Sequence, residues 1–67
     1  MIIQVKDILP LYLEGDVHVY NNDVDAIVYI GDYKELPKKY YDYTVVFIQV
    51  YDGKLELNIR KNFYLTN

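Results

Sequence analysis

Asp52-Gly53 lies between two runs of aliphatic, β-branched and aromatic residues, Thr44–Tyr51 and Lys54–Arg60, and nothing else in the chain limits its fold so strongly. Asp-Gly flanked in this way is the strongest short-range signal for a β-hairpin. A type I′ turn requires positive φ at both central residues, which glycine adopts freely and aspartate tolerates. The first arm, Val45 to Tyr51, is apolar or aromatic everywhere except at Gln49. That predicts a central strand covered on both faces. In the second arm Leu55, Leu57 and Ile59 alternate with Lys54, Glu56, Asn58 and Arg60, which predicts a half-exposed strand.

The remaining elements follow from spacing. Ile8, Leu9, Leu11, Tyr12 and Leu13 recur at helical intervals, and Asp7 suits an N-cap while Gly15 suits a C′ position. They predict a helix over residues 7–14, with Pro10 tolerable only in its first turn. Asp16–Tyr20 and Ala26–Ile30 read as a second strand pair joined by the polar loop Asn21–Asp25. Pro37 opens one helical or 3₁₀ turn through Asp42, with Leu36 and Tyr40 or Tyr41 facing inward. Residues 61–67 form a tail in which Phe63 and Leu65 are placed to dock on the core. The predicted fold is α+β: a short N-terminal helix, then an antiparallel sheet of about four strands with a helical turn between the hairpins.

Sixty-seven residues make a single domain, 1–67, with a core of barely adequate size. There is no cysteine to staple it and only one histidine, so packing or an interface must suffice. No apolar run approaches the roughly 20 residues of a membrane span. The start lacks the basic and small-residue signals of a leader, so a cytoplasmic location is expected. A net charge of −3 argues against direct nucleic-acid binding, which needs a basic patch.

Most catalytic chemistry is excluded by residue type. Neither Ser nor Cys occurs, and Thr44 and Thr66 are not placed for activation. His18 has the parity opposite to Val17 and Val19, the pattern of a solvent-facing strand residue. A ribonuclease-like group of His18, Glu56 and Arg60 would need His18 on the face that Glu56 and Arg60 share. Carboxylate pairs such as Glu14/Asp16 and Asp23/Asp25 lack the cleft that glycoside chemistry requires. Asn21, Asp23, Asp25 and Asp32 fall at positions 1, 3, 5 and 12 of a calcium loop, but Ala26 stands where that loop needs glycine. An Asx-rich turn is the simpler account. No cofactor or metal is expected.

What remains is a surface. Tyr33, Tyr40, Tyr41 and Tyr43 fall within eleven residues, interleaved with Glu35, Asp42 and three lysines, among nine tyrosines in all. Tyrosine offers large contact area at low entropic cost together with a hydroxyl. The expected protein-binding residues are therefore Tyr33, Glu35, Tyr40, Tyr41, Asp42 and Tyr43, with Asp23 and Asp25 of the acidic loop as a second contact. Core capping is the competing use of the same tyrosines.

Val5-Lys6-Asp7-Ile8-Leu9, Gly15-Asp16-Val17, Val28-Tyr29-Ile30-Gly31, Leu36-Pro37 followed by Tyr40-Tyr41, and Asp52-Gly53-Lys54-Leu55 span most of the chain. In these features it resembles small, acidic, largely uncharacterised proteins of phages and mobile elements in low-GC Gram-positive bacteria. Pro10 departs from that pattern. The resemblance brings no catalytic residues; it implies a non-catalytic module in a bacterial host. Such a module would bind a larger host protein, such as a CRISPR nuclease or another defence factor, and inhibit it. The alternatives are a homo-oligomeric, for instance homodimeric, accessory phage protein and, more remotely, a minimal ribonuclease using His18, Glu56 and Arg60.

Overall fold

The computed structural model describes residues 2–11 and 15–61, without the side chain of Tyr51. Asp52 and Gly53 have φ of 51° and 73°, the left-handed pair that the tight turn requires. The turn joins β3 (Thr44–Tyr51) to β4 (Lys54–Arg60). The second hairpin consists of β1 (Asp16–Asn21) and β2 (Ala26–Asp32) around the turn at residues 22–25. Gly31 and Asp32 thus belong to β2, whose register with β1 runs to Asp16 opposite Asp32.

The two hairpins join through their inner arms. β4 lies parallel to β1, Val17 level with Leu55 and Val19 with Leu57, giving the order β2-β1-β4-β3. The sheet is therefore mixed, antiparallel within each hairpin and parallel at their junction. Alternation explains the junction. Val17 and Val19 on β1, with Leu55, Leu57 and Ile59 on β4, form one continuous apolar face, and all five are at most 4% exposed. Val5, Leu36 and Tyr40 complete the buried cluster from the non-sheet layer, as expected for Leu36; of the two alternatives Tyr40 and Tyr41, it is Tyr40 that turns inward.

This arrangement reverses the expected roles of β3 and β4. β4 is interior, whereas β3 is an edge strand with Val46, Phe47, Ile48 and Val50 between 38% and 65% exposed. The cause is edge position together with the single covering layer. Ile48 and Val50 share the side of Leu57 and Leu55 but have no strand beyond them, while Phe47 lies on the face that no helical segment covers.

The covering layer is irregular. A one-turn α-helix, α1 (Val5–Ile8), passes into a 3₁₀ turn at Leu9–Leu11. Pro10 has no N–H to continue the α ladder, which accounts for the change. The helix begins earlier than residue 7: Gln4 is its N-cap, and Asp7 is N3, its Oδ2 accepting the Gln4 N–H at 2.9 Å. Expected positions 12–14 of the helix and the docking of Phe63 and Leu65 lie outside the described residues. Two further 3₁₀ turns, Tyr33–Glu35 and Lys38–Tyr40, carry the chain across the core face from the end of β2 to the start of β3. Pro37 is the N-cap of the second rather than its first residue. A bulge on β2 opposite Val19/Tyr20 lets both Val28 and Tyr29 pack against the core.

Candidate interaction surface

Register defines the face opposite the core. Ile30, His18, Glu56 and Gln49 lie side by side across the four strands. Ile27, Tyr20, Asn58 and Phe47 form the next row. Neighbouring backbones in such rows are about 4.8 Å apart. His18, Tyr20, Glu56 and Asn58 are half-buried, whereas the flanking Ile27, Ile30 and Phe47 are exposed at 56%, 58% and 50%. The result is a sheet face with a polar and aromatic centre, an apolar margin on β2, and Phe47 beside the polar Gln49 on β3. Among the described residues no helical layer crosses it.

The outer edge of β3 is the second notable surface. Residues 3–5 pair with its start: the Val45 N–H donates to the Ile3 carbonyl at 2.7 Å and the Val5 N–H to the Tyr43 carbonyl at 2.9 Å. An isolated bridge between Gln4 and Thr44 lies between them. Beyond Val45 no described residue pairs with that edge.

The tyrosines expected at an interface are divided by the fold. Tyr40, at 7% exposure, is a core residue and offers a partner almost no surface, which corrects its expected role as a contact. Its ring meets that of Tyr43 edge-on at 5.2 Å between centroids. Tyr33 and Tyr43 are half-buried against the same cluster, so packing accounts for these three. Tyr41 is half-buried, while Glu35 and Asp42 are exposed. Asp42 pairs with Lys6 at 3.5 Å in the open, a contact of little energetic weight.

The acidic loop meets this segment at one end of the sheet. Asp23 Oδ2 accepts the Lys61 N–H at 2.6 Å, and the Lys61 ammonium lies 5.3 Å from the centroid of the Tyr43 ring. Asp25 takes φ of 54° to close the turn. Asp23 and Tyr43 are thereby brought together, with Asp42 adjacent, whereas Tyr33 and Glu35 lie towards the opposite end, after Asp32. The apolar margins Ile27, Ile30 and Phe47 escaped sequence reasoning. Alternation on β1 and β4 identifies their face, but which strands lie at the edges depends on the hairpin junction.

Catalytic and metal arrangements fare differently. His18 is level with Glu56 on the open face, and Arg60 shares that face. Arg60 is four residues further along β4, about 13 Å at strand rise, too far to clamp a phosphate held between the other two. Asn21, of the expected calcium positions, is buried at 5% and accepts the Asp23 N–H at 2.8 Å, an Asx turn. Asp32 lies at the other end of β2. Among the described residues no group of three His, Cys, Asp or Glu side chains is placed to hold a metal, and no helix is long and apolar enough to cross a membrane. Comparison with protein-family models, curated proteins and solved structures gives no match.

Proposed function

We propose that this chain is a non-catalytic protein-binding module that inhibits a larger host protein by occupying one of its functional surfaces, with the open sheet face as its contact. The observation that carries this reading is the bare face itself, polar and aromatic at the centre and rimmed by exposed Ile27, Ile30 and Phe47. Exposed aromatic and aliphatic side chains beside polar ones supply the contact types found at protein interfaces. Absence of Ser and Cys and the distance from Glu56 to Arg60 support a role without covalent or phosphoryl chemistry. A phage or mobile-element setting and a defence enzyme as target are consistent with the acidic balance, which opposes a basic nucleic-acid groove.

Affinity capture from lysate of the host, with the wild type and with Ile30→Lys, tests the reading. A stoichiometric partner retained by the wild type and weakened at least about tenfold, or about 1.4 kcal/mol, in the variant supports it. Tyr41→Ala separates the two candidate contacts. Loss of the partner in Tyr41→Ala with retention in Ile30→Lys moves the site to the crossover segment, and no partner at all removes the reading.

A further inference from the structure

We infer that β3 is a self-association edge, pairing antiparallel with β3 of a second copy across a two-fold axis to make a continuous eight-stranded sheet. The first reason is what the strand lacks. Edge strands are normally protected by charge, proline or brevity. Thr44–Tyr51 has eight residues, none of them charged and none a proline, in a chain where a quarter of the residues are charged. Residues 3–5 close only its start.

The second reason is charge matching. Two-fold pairing sets a surface against itself, so a net charge of −3 makes most self-contacts repulsive. The other edge illustrates this, because β2 is bounded by Asp25 and Asp32. β3 is the edge on which a copy meets no like charge. That selects this chain over an acidic or basic partner as its occupant.

The third reason is area. About half of Phe47 and Ile48, two thirds of Val50 and somewhat less of Val46 remain in water, on the order of 300 Å² of side-chain surface per copy. Doubling by symmetry, with Gln49 and the paired backbones, brings the contact to roughly 1,000 Å², the lower bound for a specific interface. Ile48 and Val50 share the side of Leu57 and Leu55, so their symmetry mates extend the core side, while Phe47 extends the open face. Self-association of moderate affinity follows. It does not rest on the target-binding reading, since it is measured on the isolated protein.

Sedimentation over a concentration series tests it, with Val50→Lys at the proposed contact and Ile30→Lys on the opposite edge as control. The wild type should pass from 8.0 kDa to twice that mass with concentration, Ile30→Lys likewise, and Val50→Lys should stay at 8.0 kDa with an unchanged circular dichroism spectrum. Should Val50→Lys fail to fold, single cysteines placed from Val46 to Val50 in this cysteine-free chain give a second readout. Antiparallel pairing brings one position against itself, so disulfide dimers should peak there and fall away on both sides. A wild type that stays monomeric, a dimer abolished by Ile30→Lys but not Val50→Lys, or cross-linking without positional preference overturns the proposal.

Discussion

Ile48 and Leu57 face each other across one rung of the β3–β4 ladder, yet Leu57 is fully buried and Ile48 is 47% exposed. The same division holds throughout the sheet, since each hairpin gives one interior arm, β1 or β4, and one edge arm, β2 or β3. Burial here follows position in the sheet more closely than it follows hydrophobicity. β4 alternates, has polar residues at every second place, and lies at the centre. β3 is nearly all apolar and lies outside. Alternation reports that one face is buried, and says nothing of how many neighbours a strand has.

The rung itself gives the sharpest test. In dilute protein, Leu57→Ala should cost about 3 kcal/mol by cavity formation, and Ile48→Ala less than about 1 kcal/mol, both read from urea denaturation. Equal losses would mean that the edge is covered as well as the interior. On β2, Gly31 has φ of 156°, and a Cβ there would meet the Tyr29 hydroxyl at 3.0 Å. Gly31→Ala should therefore cost roughly 1–3 kcal/mol, which would show that an edge arm can be locally constrained though globally exposed. Asn21 ends an interior arm, and Asn21→Ala should cost about 1 kcal/mol through the lost Asx turn, measured the same way.

The smallest effect is a pH limb on β2. The Tyr29 hydroxyl donates to the Asp32 carbonyl at 2.6 Å. Desolvation, then the carboxylates of Glu35, Asp32 and Asp16, raise its pKa above the ordinary 10.0. The unfolded chain ionises first, so this contribution is intact below pH 10 and is lost as pH rises through the native value. Tyr29→Phe should flatten that alkaline decline in thermal unfolding; an unchanged slope would assign it to other tyrosines.

Much of the fold was legible because it is written in local chemistry. The Asp52-Gly53 turn, the inward Leu55, Leu57 and Ile59, and the inward Leu36 each follow from a few neighbouring residues, whereas the choice between Tyr40 and Tyr41 does not. Strand order was not legible, because the junction of β1 with β4 joins segments that no local pattern connects. The expectation of a central, covered β3 carries into the site. With β3 taken as covered, the surplus surface seemed to be the tyrosines, whereas Tyr40 fills the core and Tyr33 and Tyr43 pack on it. His18 was assigned to the correct face by parity with Val17 and Val19, but its neighbour Glu56 emerged only from the parallel register.

That register also governs the order in which the sheet can be completed. Each hairpin closes over a short turn, an event of roughly 1–10 μs in isolation. Val17 and Leu55 are 38 positions apart, and bringing them together meets most of the loop-closure entropy of the fold. During synthesis β1 leaves the ribosome with its inner edge bare, and β4, which must cover it, is made only after β2 and β3. The first hairpin can form early, but its apolar face has no permanent neighbour until Lys54–Arg60 has emerged. Substitutions at Val17, Val19, Leu55 and Leu57 should therefore slow folding, whereas those on β3 should mainly quicken unfolding.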